Sequence, residues 1–263
     1  YQKKGLSWLN IMTQNQIGAV LADDMGLGKT IQVLSMLSKE KGQKSLIVAP
    51  KTLIFNWLNE AKKFTPHLIF HNHTGGERNE RIKDASESHV IITTYQTLRL
   101  DIDYFKEQKF KYFIFDEAHY IKNSDSQSYM ACKLIQADQK IALTGTPVEN
   151  SLSDLFSILS VTTPGLISEN VSNKFLRESD PDVLRGLSLS LKPFILRRTK
   201  DQVLTDLPDK SEQILYCELS PKEKDKYDEL KKYYWSNLSG KIQEKGFAKS
   251  KIEILEALLR LRQ

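Results

Sequence analysis

Short apolar runs recur through the first 150 residues, and stretches with helical spacing separate them. Residues 52–64 and 124–136 repeat their apolar positions at nearly 3.6-residue intervals, as amphipathic helices do. The runs themselves are continuously apolar, which is typical of parallel strands that helices cover on both faces. The pattern therefore predicts an α/β fold with a mostly parallel, doubly wound sheet covered by helices. The predicted strands are residues 17–21, 45–49, 68–70, 90–93, 112–115 and 141–144.

Helical patterns replace the strand pattern after about residue 150. Leu152, Leu155 and Leu159 share one face of a predicted helix. Ser220 and Glu223 form a capping-box pattern around Pro221, which predicts that a long helix begins there. Residues 213–219 alternate enough to predict one more strand. We therefore expect three parts: an α/β lobe at 1–150, a helical insertion and basic linker at 151–212 associated with that lobe, and a strand with helices at 213–263.

Composition places few limits on function. The chain has 263 residues, 40% hydrophobic and 27% charged, and its net charge of +5 permits a polyanionic partner without requiring one. Cys132 and Cys217 stand outside any C-x-x-C pair, which indicates a reducing compartment and no zinc site. No apolar run approaches the roughly 20 residues that cross a bilayer, so no membrane partner is expected. Because the chain starts at Tyr1 and ends within a helical pattern, we expect it to be part of a longer protein.

The strongest chemical signal is the stretch Leu-Ala-Asp-Asp-Met-Gly-Leu-Gly-Lys-Thr at residues 21–30. A predicted strand precedes it and an amphipathic run follows, so its backbone N–H groups can surround phosphates. In such a loop Lys29 reaches the outer phosphates and the Thr30 hydroxyl ligates Mg²⁺. The G-x-x-x-x-G-K-[ST] pattern fails at one position, because Asp23 replaces the first glycine. The strand–loop–helix context still favours a nucleotide site over a chance match.

An acidic pair, Asp116 and Glu117, directly follows the predicted strand 112–115. Downstream of a phosphate loop, Asp116 can hold Mg²⁺ and Glu117 can orient or deprotonate an attacking water. The alternative is an ordinary polar turn, and the upstream Gly-Lys-Thr favours the functional interpretation. The turn Thr144-Gly145-Thr146-Pro147 follows the next strand. It is compatible with a phosphate sensor and, taken alone, with a plain turn.

These motifs belong to a longer series, and together they resemble the first motor lobe of the SWI/SNF-type ATPases, helicase-like DNA translocases of superfamily two. The resemblance spans the whole chain in the family's order, and the family's own loop also lacks the first glycine. It implies a RecA-like P-loop lobe with helical additions in the C-terminal part. The matching stretches are Tyr1-Gln2 with Gly5 and Trp8-Leu9, 21–32, 47–57, 91–98, 113–123, 141–159, 194–200 with Leu207-Pro208, and 258–263.

The resemblance also implies ATP and Mg²⁺ as cofactors and assigns roles to individual residues. Lys29, Asp116 and Glu117 would be catalytic, Thr30 and Asp116 would hold the metal, and Gln2 would read adenine. The remaining nucleotide contacts would come from Asp24, Met25, Gly26, Leu27 and Gly28. Coupling between the nucleotide and DNA sites would use His119, Thr144, Gly145 and Thr146. The DNA contacts would come from Lys51, Thr52, Asn56, Trp57, Thr94, Tyr95, Asn150, Arg197, Arg198 and Lys200.

The implied partners are double-stranded DNA and a second motor lobe. A translocase of this type grips sugar and phosphate, so we expect weak sequence preference and strong salt dependence. Nothing in the sequence matches the second lobe, which in this family completes the ATP cleft and supplies arginine fingers. We therefore expect weak nucleotide binding and little hydrolysis from this part alone. The expected location is intracellular: cytoplasm in a bacterium or archaeon, or the nucleus of a eukaryote.

Three alternatives stay open at this stage. The first is a strand-separating superfamily-two helicase, against which the stretch 143–150 argues. The second is a small-molecule P-loop enzyme or a GTP-dependent switch; the sequence has no Asn-Lys-x-Asp guanine reader. The third is a DNA-binding module without catalysis.

Overall fold

The computed structural model describes residues 1–39, 42–145, 152–167, 175, 180–203, 220–246 and 250–262. They fall into two units, Tyr1–Leu207 and Pro208–Gln263. Each unit is described by itself, and the first contains the sheet and every predicted catalytic residue. The three-part division at residues 150 and 212 stays a prediction.

A sheet of seven strands forms the centre of the first unit. The strands are β1 Ala19–Leu21, β2 Ser45–Val48, β3 Phe70–Asn72, β4 Val90–Thr93, β5 Lys109–Phe115, β6 Gln136–Leu143 and β7 Ile195–Leu196. Their order in the sheet is β3-β4-β2-β5-β6-β1-β7. Every adjacent pair is parallel; near the end of β5, for example, Ile114 pairs with Ile47 on one side and Ile141 on the other. The predicted α/β class is therefore confirmed.

Three boundary predictions were wrong. The strand predicted over residues 68–70 lies at Phe70–Asn72. No strand was predicted between residues 144 and 213, and this missed β7, whose residues Ile195 and Leu196 pair with Val20 and Leu21 of β1. A two-residue strand is too short to produce a periodic signal. The helix predicted over 124–136 is shorter, because β6 already begins at Gln136. Polar residues interrupt or precede the apolar run at the start of β5 and β6, so a continuous apolar run did not indicate these positions.

Helices cover both faces of the sheet because successive side chains of a strand point to opposite sides. In β5, Tyr112 and Ile114 belong to one buried cluster, and Phe113 and Phe115 belong to the other. The helices of this unit are α1 Gln2–Gln14, α2 Lys29–Leu37, α3 Lys51–Phe64, α4 Tyr95–Leu100, α5 Ile102–Lys106, α6 Gln127–Leu134, α7 Leu152–Thr162, α8 Pro181–Leu191 and α9 Lys200–Val203, with 3₁₀ segments Gly76–Ser86, Ala118–Ile121 and Lys192–Phe194. The first cluster includes residues of α1 to α3, and the second includes residues of α4 to α8.

The second unit contributes helices α10 (Pro221–Lys245) and α11 (Lys251–Arg262). The predicted capping box is confirmed: the Ser220 N–H donates to Glu223 Oε2 at 2.9 Å, and the Glu223 N–H donates to Ser220 Oγ at 3.4 Å. The strand predicted over 213–219 lies outside the described residues. Of the helices described here, none combines the length and the apolar character that a membrane crossing requires.

The strand order decides where loops can meet. Strands β5, β6 and β1 are neighbours, and so are β2 and β4. Because all strands are parallel, the segments that follow β1, β2, β4, β5 and β6 emerge at one edge of the sheet. Every predicted nucleotide motif except Gln2 lies on such a segment, so the fold brings these motifs to one edge.

Lys140 is a buried charge within β6. Its ammonium donates to the carbonyl oxygens of Cys132 at 3.4 Å and Lys133 at 3.3 Å, near the end of α6. Burial lowers the pKa of Lys140 from 10.5 to about 8. Its charged form is therefore disfavoured in the folded state relative to the unfolded chain.

Replacing Lys140 should change how stability responds to alkaline pH. Between about pH 8 and 10.5 the unfolded state holds this proton more tightly, so Lys140 makes the free energy of unfolding rise with pH. Lys140→Met removes that contribution, and we expect a smaller slope between these pH values in urea titrations. The exposed Lys62→Met is the control and should retain the parental slope. An unchanged slope in the Lys140 variant would contradict the assignment.

Candidate nucleotide site

The loop between β1 and α2 has the backbone that phosphate binding needs. Gly26 and Gly28 adopt left-handed conformations, with φ of 85° and 75°. Gly28 is the N-cap of α2, and a glycine offers no side-chain oxygen to the first N–H groups of the helix. These N–H groups lack intrahelical partners, and the helix dipole favours an anion beside them. The turn is therefore prepared for a phosphate.

Lys29 lies folded against its own loop. Its ammonium donates to the carbonyl oxygen of Asp23 at 2.6 Å and lies 3.4 Å from that of Asp24. Burial lowers the pKa of Lys29, and the carboxylates of Asp116 and Glu117 oppose this effect. The ammonium is thus stabilised electrostatically by the acidic pair.

Asp116 and Glu117 form the turn that leaves β5. Asp116 is only 7% exposed, and its Oδ1 accepts the Glu117 N–H at 2.9 Å. Burial raises the pKa of Asp116, and the hydrogen bonds from Trp57 and from the Glu117 N–H lower it. Glu117 has φ of 52°, which is uncommon for a residue with a side chain and typical of functional turns. Its Oε2 lies 3.2 Å from His119 Nδ1.

Two aromatic residues hold Asp116 from within the core. Trp57 is 1% exposed, and its indole N–H donates to Asp116 Oδ2 at 2.9 Å. The buried Tyr95 hydroxyl donates to the Asp116 carbonyl oxygen at 2.6 Å, and its ring stacks on Tyr120 at 5.0 Å. The resemblance placed Trp57 and Tyr95 along the DNA groove. The structure places both beneath the acidic pair, so we assign them to positioning Asp116.

The other predicted nucleotide residues surround the loop. The Gln2 side-chain amide lies 3.4 Å from the Leu27 carbonyl oxygen, and a Cβ at position 28 would collide with it. The Thr144 N–H donates to the Leu21 carbonyl oxygen at 3.1 Å, which ties the end of β6 to the end of β1. Gly145 is buried beside Met25. Thr146 lies outside the described residues.

The predicted DNA contacts divide between exposed and buried positions. Lys51, Thr52 and Asn56 are exposed on α3, and Asn56 donates to Glu60 Oε1 at 3.1 Å. Thr94 caps the N-terminus of α4. These residues follow β2 and β4, at the same edge as the nucleotide motifs. Asn150 lies outside the described residues.

The basic residues predicted to contact DNA in the linker also differ in exposure. Arg197 and Lys200 are exposed, whereas the Arg198 guanidinium forms a bidentate ion pair with the fully buried Asp23. Asp23 is the residue that replaces the first glycine of the phosphate-loop pattern. We therefore take Arg198 to serve the loop and keep only Arg197 and Lys200 as candidates for DNA contact.

Sequence reasoning missed Gln32, which bridges Asp23 and Arg198. One signal was available: a carboxylate next to a buried strand needs a charged partner, and the basic run 197–200 offered one. No comparable signal indicated that Trp57 and Tyr95 contact Asp116, because these contacts depend on strand order.

Fold and site together define a RecA-like P-loop lobe, with phosphate loop, acidic pair and hydroxyl-bearing turn at adjacent strand ends. The chain belongs to the SNF2-related domain family, whose profile matches residues 1–263. An archaeal relative, the Sulfolobus solfataricus SWI2/SNF2 ATPase core in complex with dsDNA, has 36% identity and a TM-score of 0.71. The match covers 100% of this chain and 57% of that one.

Relatives occur in bacteria and eukaryotes. An uncharacterized ATP-dependent helicase of Mycoplasma genitalium is 36% identical over 100% of this chain and 26% of its own length. The ATP-dependent helicase FUN30 of Saccharomyces cerevisiae is 36% identical over 87% of this chain and 23% of its own length. The chain thus spans about a quarter of the curated relatives it matches. The family predicted from the sequence is confirmed.

The indole bond to Asp116 predicts unequal effects of two Trp→Phe variants. Trp57→Phe leaves a buried carboxylate oxygen without this donor and should destabilise the fold by about 1–3 kcal/mol. Trp8→Phe is the matched control, because its indole donates to the Pro193 carbonyl oxygen at an exposed position where water can substitute. Denaturant unfolding measures both. Equal losses of unfolding free energy in the two variants would show that the hydrogen bond to Asp116 contributes no more than the exposed one.

Proposed function

We propose that this chain is the N-terminal ATP-binding lobe of a DNA-dependent ATPase that translocates along double-stranded DNA and remodels protein–DNA complexes. The observation that carries the proposal is the convergence at one sheet edge of the phosphate loop, Asp116-Glu117 and Thr144-Gly145. Family membership and the likeness to an ATPase core bound to dsDNA support it.

The loop residues fit ATP and Mg²⁺. Asp24 to Thr30 would surround the phosphates, with the Lys29 ammonium moving from its loop carbonyls to the outer phosphates. Thr30 in the first turn of α2 and Asp116 at the end of β5 offer the hard oxygen atoms that Mg²⁺ prefers. Bound Mg²⁺ would neutralise charge on the phosphate oxygens. The electrostatic interaction of the Asp116 carboxylate with the Lys29 ammonium supports a shared site.

Glu117 is the proposed general base, and His119 links it to the surface. The left-handed backbone at Glu117 turns the carboxylate out of β5, where it is less buried than Asp116. His119 lies between Glu117 and the exposed Tyr120, with ring centroids 4.7 Å apart for His119 and Tyr120. Thr144, Gly145 and Thr146 would couple the nucleotide site to the DNA site along the same edge of the sheet. Gln2, beside the loop, would select adenine.

Double-stranded DNA would lie along the edge formed by the segments after β2 and β4. Lys51, Thr52 and Asn56 are exposed there, and Thr94 is close by in the sheet order. We propose Asn150, Arg197 and Lys200 as further contacts. Contacts of this kind bind phosphate and sugar, so affinity should fall steeply with salt. The compartment that we propose is the one that holds DNA: cytoplasm in prokaryotes, nucleus in eukaryotes.

A second motor lobe would complete the site in the whole protein. The chain covers 57% of the solved ATPase core it resembles, which leaves room for such a lobe. In phosphoryl transfer an arginine finger contributes about 10³–10⁵ in rate. The lobe described here would therefore bind ATP and need its partner for turnover.

Replacing Glu117 in the full-length protein should separate binding from hydrolysis. Glu117→Gln keeps the shape and removes the base, so DNA-stimulated ATP turnover should fall by about 10²–10⁴ while ATP still binds. The exposed Glu107→Gln is the control and should hydrolyse normally. Turnover is measured by phosphate release and binding by a fluorescent ATP analogue. DNA-dependent work that survives in Glu117→Gln would refute the motor assignment.

The isolated chain should be a poor ATPase. Without a second lobe, its DNA-stimulated turnover should lie about 10³-fold or more below that of the full-length protein. Phosphate release from residues 1–263, with and without duplex DNA, measures this. Strand displacement by the full-length protein distinguishes a helicase from a translocase. Vigorous hydrolysis by residues 1–263 alone would overturn the two-lobe requirement.

A further inference from the structure

Asp23 is held by two side chains that no phosphate-loop pattern contains. Its carboxylate is fully buried; Oδ1 accepts from Arg198 Nε at 2.9 Å, and Oδ2 accepts from Arg198 Nη2. The Gln32 amide N–H lies 3.3 Å from Asp23 Oδ2, and Gln32 Oε1 accepts from Arg198 Nη2 at 3.0 Å. The buried charge is therefore paired and hydrogen-bonded, as a charge inside a protein must be.

The backbone around Arg198 also binds the loop. The Ala22 N–H donates to the Leu196 carbonyl oxygen at 2.7 Å, and the Asp24 N–H donates to the Arg198 carbonyl oxygen at 3.0 Å. The Lys200 N–H donates to Asp24 Oδ2 at 3.0 Å. Residues 195–200 thus run alongside the loop and continue the β1–β7 pairing beyond the end of the sheet.

Arg198 contacts the N-terminal helix as well. Its Nη1 donates to the Tyr1 carbonyl oxygen at 2.6 Å, and the guanidinium lies 5.4 Å from the centre of the Tyr1 ring. A Cβ at Gly5 would overlap Gln32 and Arg198, so α1 packs closely on the network. One guanidinium therefore joins the phosphate loop to the segment that carries Gln2.

We propose that Arg198 is a positioning residue for the phosphate loop and that ATP affinity depends on its ion pair with Asp23. The reason is that Asp23 and Asp24 each make two kinds of contact. Their carbonyl oxygens lie within hydrogen-bonding distance of the Lys29 ammonium. Their side chains bind segment 195–200. Without Arg198 the buried carboxylate has no counter-charge, and the loop must move to hydrate it. Lys29 and the turn at Gly26 and Gly28 move with it.

This inference rests on the proposed function, because it concerns the same nucleotide site. It adds to that site a positioning residue, Arg198, on a segment far from the loop in sequence. The variants Asp23→Asn and Arg198→Gln test the dependence of ATP affinity on the ion pair. When both are present, neither side chain carries a charge that needs a partner.

The experiment measures ATP-analogue affinity of the full-length protein in a double-mutant cycle. Arg198→Gln should raise the Kd by about tenfold or more, and adding Asp23→Asn should recover most of that loss, because the two residues are coupled. Arg198→Lys should give an intermediate Kd, since an ammonium supplies the positive charge but not the bidentate hydrogen bonds of a guanidinium. Arg185→Gln, an exposed arginine on α8, is the control and should bind as the parent does. Thermal unfolding confirms that each variant is folded at the assay temperature.

Parental affinity in Arg198→Gln overturns the proposal, and so does a double variant whose loss is the sum of the two single losses. If the parent itself fails to bind ATP, the proposed function fails, and amide hydrogen exchange at residues 22–28 then tests the positioning role directly. Exchange there should be faster in Arg198→Gln than in Arg185→Gln. Equal exchange would overturn the positioning role without reference to ATP.

Discussion

The burial of both faces of the sheet is the constraint on which the rest of this lobe depends. All seven strands are parallel, and helices cover each side, so side chains in mid-strand reach only the core. Chemistry can therefore reside only where strands end. The neighbouring strands β5, β6 and β1 then place a carboxylate pair, a hydroxyl-bearing turn and a phosphate loop side by side. The site is a consequence of strand order as much as of the motifs.

Buried charges at this edge are each supported by a specific neighbour. The Asp116 carboxylate accepts hydrogen bonds from the Trp57 indole and the Glu117 N–H, and the Asp23 carboxylate pairs with the Arg198 guanidinium. An unsupported carboxylate at either place would be costly, because the surroundings are apolar. The apolar core and the polar site are thus interdependent: α3 packs on the sheet and at the same time delivers the Trp57 donor.

Much of the fold followed from the sequence, as did the strand ends on which the candidate motifs lie, and the failures have physical causes. Continuous apolar runs and the Gly-Lys-Thr turn carry local signals, so β2, β4 and the phosphate loop were predicted closely. The roles of Trp57, Tyr95 and Arg198 depend on which strands become neighbours, which no local pattern contains. Strand β7 is two residues long and shows no periodicity. Motifs indicated the phosphate loop and the acidic pair; tertiary contacts decided which residues support them.

Helix α3 has one further consequence. Lys51 and Thr52 stand in its first turn, exposed, and Trp57 follows about 9 Å farther along the axis, at 1.5 Å per residue. A helix packed on a sheet moves as one rigid body, so these two positions cannot shift independently. Whatever binds Lys51 and Thr52 therefore acts on the same helix that supplies the hydrogen-bond donor of Asp116. Helix α3 thus connects an exposed N-terminal turn to the acidic pair, which it contacts near its middle through Trp57.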